Sequence, residues 1–222
     1  QGFDAYMAGF SGKTRSTLRR KCRKFAELSG GQIDIRTYHR ADEIDRFLDI
    51  ALPLSARTYQ DRLLDAGLPA DIAFREEARA RAARGDVRAF ILFAGERPVS
   101  YLYLPIDGCD GQRTLRYDYL GYDPDHAAQS PGTVLQLEAV ERLMAEGRFA
   151  YFDFTSGEGA HKTLFGTDEV RCADFVALRA TPANRLILTG LERLDTLVER
   201  GSAMAERIGI AAMAKRLLRQ GG

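Results

Sequence analysis

The chain has 222 residues and a net charge of +1, so it has no global pull toward nucleic acid or an anionic membrane surface. Its length fits one large domain or two small ones, and a 45% hydrophobic, 28% charged composition is that of a globular protein with an ample core. Cys22, Cys109 and Cys172 match neither zinc spacing nor a secreted disulfide framework, which argues against a metal and for a reducing cytoplasm.

Residues 3 to 28 read as an amphipathic helix, with Leu18, Cys22 and Phe25 on one face and Arg15, Arg19, Arg23 and Lys24 around the other. That basic cluster suits either a phosphate-bearing partner or a solvated face on a helix that packs on one side. Ser11-Gly12-Lys13-Thr14 has the tail of a Walker motif, but Met7 stands where the first glycine must be, which rejects that reading. Gly30-Gly31 ends the helix, and Gln32 to Tyr38 alternates as a strand does. A second helix is expected over Ala41 to Tyr59, kinked or broken at Pro53, and a third over Asp71 to Arg84. Val87 to Phe93 and Val99 to Leu104 form a predicted hairpin about Gly95, and Thr114 to Gly121 adds a third antiparallel strand.

Ser130-Pro131-Gly132-Thr133 is the central joint. Ser130 can cap a helix, Pro131 suits its first position, and Thr133 with Gln136 offers a second capping pair. Such a start aims unpaired N–H groups and a partial positive charge at whatever lies in front of it, which favours phosphate. Gly132 leaves room for a ligand to approach the backbone. A good helix start with no ligand remains an open alternative. The helix runs over Val134 to Met144 with Gly147 as its stop, and Ala150 to Phe154 reads as a strand buried on both sides. Strand, helix, strand makes a crossover, so one parallel pair is expected in an otherwise antiparallel sheet. Val170 to Leu178 is expected to close the sheet, and Asn184 to Arg219 to be largely helical. No apolar run approaches the roughly 18 residues needed to span a bilayer.

Tyr117-Asp118-Tyr119, Ser130-Pro131-Gly132, Asp153-Phe154, Gly157-Glu158 and Lys162 resemble, in order and spacing, the acyltransferase domain of the GNAT superfamily. Within it the chain is most similar to the CelD-like acetyltransferase domain, which is related to the FemAB peptidyltransferases. The resemblance extends from Phe3, through the basic helix at Arg15 to Glu27, as far as Leu178. It implies an α/β (α+β) fold with a mixed, mostly antiparallel central sheet, split between two strands and flanked by helices. That domain would occupy 1–180, with 181–222 as a helical extension packed on or beside it. Members of the family often carry further sequence ahead of this domain, and Gln1 is neither a methionine nor the start of a signal pattern, so a domain upstream is expected.

The resemblance further implies acetyl-CoA or another acyl-CoA lying in the split, with its pyrophosphate on Ser130, Pro131, Gly132, Thr133, Val134 and Leu135. The superfamily's consensus there has several glycines where this chain has Ser130-Pro131-Gly132, which leaves room for a different acyl donor. The implied reaction is N-acyl transfer to an amine, on a small molecule or on a lipid or polysaccharide precursor. A base must take the amine's proton. Glu158, past a strand end on a glycine turn, is the first candidate and Asp153 the second, each set against a plain reading. For Glu158 this is an exposed loop carboxylate; for Asp153 it is a brace to Lys162 or Arg116. Tyr119 or Tyr122 could protonate the leaving thiolate or simply be core. Tyr117, His161 and Lys162 are candidates for the substrate side; Lys162 matches the family's lysine, while His161 stands where the family more often shows tyrosine. No second histidine stands at ligand spacing, so no metal is expected. Two alternatives stay open. One is a FemAB-like transferase using aminoacyl-tRNA, for which the basic helix speaks and which alone would involve nucleic acid. The other is a non-catalytic acyl-CoA-binding half of a tandem transferase.

Overall fold

A computed structural model describes residues 2–58, 67–109, 111–157, 159–171, 177–191 and 193. Its sheet has six strands: β1 (Asp34–Tyr38), β2 (Val87–Ala94), β3 (Arg97–Asp107), β4 (Thr114–Arg116), β5 (Tyr119–Tyr122) and β6 (Tyr151–Asp153). The order is β1-β2-β3-β4-β6, with β5 also paired to β3. Every pairing is antiparallel except β4 with β6. The hairpin turns at Gly95, whose φ of 62° a glycine adopts without a steric penalty. The crossover from β5 through a helix to β6 supplies the parallel pair that the sequence predicts.

Among the described residues, six helices flank the sheet: α1 (Phe3–Gly9), α2 (Gly12–Leu28), α3 (Ala41–Ser55), α4 (Ile72–Ala83), α5 (Pro131–Glu146) and α6 (Ala160–Phe165). In place of one helix over 3 to 28 there are two, because the Ser11 hydroxyl accepts the Thr14 N–H at 3.1 Å and starts α2 afresh. The Ser-Gly-Lys-Thr run is therefore a helix cap. Pro53 lies in the last turn of α3, which ends at Ser55 rather than near Tyr59, a residue outside those described. The Asp71 side chain caps α4 through the Phe74 N–H at 2.8 Å.

Strand β2 is apolar on both sides because both faces of the sheet are covered. Ala89, Ile91 and Phe93 join Phe47, Leu48, Ala51 and Ala78 of α3 and α4. Phe90 and Leu92 point the other way, with Phe25, Val134, Leu135 and Leu143 of α2 and α5. Met7, Leu18, Leu137 and Phe165 form a smaller third cluster. Strand β6 departs from expectation. It is the last strand among the described residues, and its Tyr151 is 67% exposed.

The chain divides into two units, Gln1–Glu169 and Val170–Gly222, and the sheet with all six helices belongs to the first. In the second, 182–191 is helical; the expected strand over 170–178 and the rest of the expected terminal helix fall largely outside the described residues. No helix among the described residues is long and apolar enough to cross a membrane.

Candidate active site

Among the described residues, the sheet opens past the pairing of β4 with β6. Arg116 opposite Asp153 is the last register pair of β4 and β6, followed by one further bond from the Tyr117 N–H to the Asp153 carbonyl at 2.8 Å. The expected strand over Thr114 to Gly121 then breaks at Tyr117-Asp118 and resumes as β5, which pairs only with β3 among the described residues. The Arg116 guanidinium holds this break. It donates to Asp118 at 2.6 and 2.8 Å and to Asp107 at 2.6 Å. The Asp118 hydrogen bonds raise its own pKa and keep it charged.

The break also turns neighbouring tyrosines to opposite faces. Tyr117 packs with Phe152, Phe154 and His161, at ring-centroid distances of 6.0, 5.4 and 5.2 Å. Tyr119 instead joins Phe74 and Tyr103 at 5.7 and 6.2 Å. Burial raises the Tyr117 and Tyr119 hydroxyls above their ordinary value.

On one side of the opening stands the start of α5. Asp123 ends β5 and is wholly buried, with Arg97 at 2.7 Å, Arg57 at 3.0 Å and the His126 imidazole at 3.5 Å. Burial alone would raise the Asp123 carboxyl; the Asp125 N–H, Arg57 and Arg97 outweigh it and hold it below the usual range. A 3-10 turn over Pro124–Gln129 follows, and Ser130 adopts a left-handed backbone (φ 54°) to enter the helix. The sequence expected a Ser130 side-chain cap, and the structure has none: in this conformation the hydroxyl makes no capping bond. Nor do Thr133 and Gln136 form a capping pair. The Thr133 hydroxyl accepts from Lys21 Nζ of α2 at 3.3 Å, and the buried Gln136 amide nitrogen has no partner among the described residues. The N–H groups of Gly132 and Thr133 therefore remain without an acceptor among the described residues. Gly132 serves packing as much as access, since a Cβ there would lie 3.2 Å from Leu120 Cδ2 and 3.4 Å from Tyr122 Cδ1. Val134 and Leu135 are fully buried against the sheet, so their contribution to this end is backbone alone.

Beyond the pairing of β4 with β6 lies the turn after β6. Thr155 is left-handed (φ 62°), a conformation that costs a β-branched residue about 1–2 kcal/mol. Asp153 accepts the Thr155 N–H at 2.7 Å, and Lys162 Nζ donates to the carbonyls of Thr155, at 3.1 Å, and Ser156. The brace expected between Asp153 and Lys162 or Arg116 is thus not made: Arg116 is taken by Asp118 and Asp107, while Lys162 binds backbone carbonyls. Both Asp153 and Lys162 hold this turn. His161, in the first turn of α6, lies nearly parallel to the Tyr117 ring (23°), with its Nε2 buried and unpartnered among the described residues. Burial, then the Lys162 charge, lowers its pKa and leaves a neutral imidazole at pH 7. Glu158 lies outside the described residues.

Tyr117 and His161 thus share one aromatic cluster with Phe152 and Phe154, Asp153 and Lys162 hold the turn after β6, and Tyr119 faces away from Tyr117. Three features escaped the sequence. Asp123 with its arginines and the Lys21–Thr133 contact join distant residues; a non-glycine left-handed position such as Thr155 runs against the rule for its residue type.

Residues 12–163 match the family described as acetyltransferase (GNAT) domain. No curated protein sequence matches the chain. Among solved structures, the fold is similar to an aminoglycoside acetyltransferase from an uncultured soil metagenomic sample in complex with sisomicin, at 13% identity over 66% of this chain and 95% of that one, with a TM-score of 0.48. A possible acetyltransferase from Clostridium difficile 630 is similar at 11% identity over 66% and 99% of the two chains, with a TM-score of 0.48. AAC(6')-Iy in complex with the bisubstrate analog CoA-S-monomethyl-acetylneamine is similar at 17% identity over 67% and 99%, with a TM-score of 0.44. The family match spans more than half of the chain, and the chain belongs to the GNAT acetyltransferase family.

Proposed function

We propose that this domain transfers an acetyl or other acyl group from acyl-CoA to an amine, within the CelD-like branch that its motifs resemble. The observation that carries the reading is the pairing of an open sheet with a helix start. Beside β5, which pairs only with β3 among the described residues, α5 presents the N–H groups of Gly132 and Thr133 without acceptors among those residues. A pyrophosphate is the ligand such a helix start favours, and an extended amide-bearing arm suits an unpaired strand edge. The acceptor amine attacks the thioester carbon, the C–S bond breaks, and the products are the N-acyl amine and free CoA thiol. The amine's proton passes to a base. Glu158 is our first candidate, with the neutral His161 imidazole beside Tyr117 as a second group able to take a proton.

A small-molecule amine is the acceptor class we favour over a lipid or polysaccharide precursor. Use of aminoacyl-tRNA is not favoured, because the basic helix is partly committed within the domain: Arg15 donates to the Met7 carbonyl at 3.3 Å and Lys21 to Thr133. The test is release of free thiol from acetyl-CoA across a panel of amines. Release that requires one class of amine supports the reading; no release with any amine, despite firm CoA binding, favours a non-catalytic CoA-binding module.

A further inference from the structure

The basic helix α2 carries more positive charge than packing needs, and one of its lysines stands in an unusual place. Lys21 Nζ lies 3.3 Å from the Thr133 hydroxyl, at the positive end of α5, where α2 rests on the Pro124–Gln129 turn. A helix N-terminus carries roughly half a positive charge, so an ammonium there is repelled unless an anion stands between them. Three other cations of this helix are directed elsewhere. Arg15 is bonded to the end of α1, while Arg19 and Arg23 line a cavity of about 650 Å³ opposite Glu138 and Glu141.

A second observation points to a ligand at the same place. Gln136 is only 2% exposed, and its amide nitrogen has no acceptor among the described residues. It lies one helical turn beyond Gly132, on the same face. Helical side chains lean toward the N-terminus, which directs this donor to the turn where the free N–H groups lie. A buried donor without an acceptor is costly. Two backbone N–H groups without an acceptor among the described residues and an ammonium thus stand at this helix start, with a buried amide donor one helical turn beyond.

We propose that Lys21 is a donor-positioning residue, supplying the cation that neutralises a diphosphate held on the first turn of α5. The proposal rests on the acyl-CoA reading above and assigns to a residue of α2 the charge that backbone N–H groups only partly provide. The diphosphate oxygens take the place of Thr133 as the ammonium's acceptor, in charge-assisted hydrogen bonds that a neutral side chain cannot make.

The test is calorimetric titration of the wild type, Lys21→Met and Lys21→Arg with CoA, with pantetheine and with inorganic pyrophosphate. Lys21→Met should weaken CoA at least tenfold and abolish the pyrophosphate signal, while leaving the weaker pantetheine affinity and the melting temperature as they are. Lys21→Arg should recover most of the CoA affinity. Undiminished CoA and pyrophosphate binding by Lys21→Met would overturn the proposal, as would an equal loss of pantetheine affinity. Should the wild type bind pyrophosphate through Lys21 but not CoA, the phosphate site stands and the acyl-CoA reading falls.

Discussion

Arg97, at the start of β3, reaches the wholly buried Asp123 carboxylate at 2.7 Å and so ties the β2–β3 hairpin to the residue that precedes the turn into α5. Arg57 meets the same carboxylate at 3.0 Å. Two half-exposed cations thus share one buried anion, and both also reach the exposed Asp125 carboxylate, Arg57 at 2.8 Å and Arg97 at 3.4 Å. Asp123→Asn should cost about 2–3 kcal/mol of stability, the loss of a buried pair reduced by the arginines' access to water. CoA affinity should fall with it, because the turn loses its anchor. Arg97→Gln leaves Arg57 in place and should cost under about 1 kcal/mol. Urea denaturation of both variants measures the two values, and equal costs would contradict the shared-anion account. The sign with pH follows from the lowered pKa. Asp123 contributes fully above the ordinary carboxylate value, and that contribution is lost as pH falls through its depressed value.

His161 carries the opposite charge chemistry with the same sign. Its pKa is lowered in the folded state, so below the ordinary imidazole value of about 6.5 the unfolded chain binds more protons than the native one. Its contribution is complete above that pH and declines as pH falls below it. His161→Phe keeps the ring against Tyr117 and removes the proton site. Melting temperatures between pH 5 and 7 should fall less steeply for this variant; an unchanged slope would show that His161 titrates as a free imidazole.

Thr155 is held in a left-handed backbone by Asp153 and Lys162. Thr155→Gly removes the steric penalty but adds chain entropy to the unfolded state, for a net gain on the order of 0.5–1 kcal/mol. If the turn is tensioned for function, acyl transfer should drop while stability rises. A destabilised variant would mean that the threonine side chain makes contacts worth more than the strain.

Much of the architecture was legible because it is local. Gly95 and Gly147 punctuate with positive φ, β2 announces its burial by an apolar run from Ala89 to Ala94, and the order strand, helix, strand forces a crossover. The sequence pattern over Thr114 to Gly121 could not show the break at Tyr117-Asp118. That break depends on Arg116 reaching Asp107 across the β3–β4 turn as well as Asp118 beside it. Nor could spacing reveal that Lys21 touches Thr133 across 112 positions of chain. The single helix expected over 3 to 28 failed for a local reason, since Ser11 caps the second of two helices. At the site, residue types were readable and partners were not: Asp153 and Lys162 both brace the turn, but through the backbone around Thr155.

Glu158 remains the first candidate for the base. Glu158→Gln keeps the side chain's shape and removes only the proton acceptor. We predict acyl transfer lower by about two orders of magnitude with CoA affinity unchanged. The acidic limb of the pH–rate profile should disappear as well. Undiminished transfer would remove Glu158 from the mechanism and leave the imidazole of His161 as the group to substitute next.

The central claim, that the start of α5 beside the split sheet binds the pyrophosphate of an acyl-CoA donor, is tested most directly by thermal unfolding of the wild type with CoA and with pantetheine. At a hundred times its dissociation constant a ligand stabilises by about 2.7 kcal/mol, which in a chain of this length raises the melting temperature by roughly 5–10 °C. The account predicts a shift of that size with CoA and a far smaller one with pantetheine at the same concentration. Equal shifts from the two, or none from either, would contradict it.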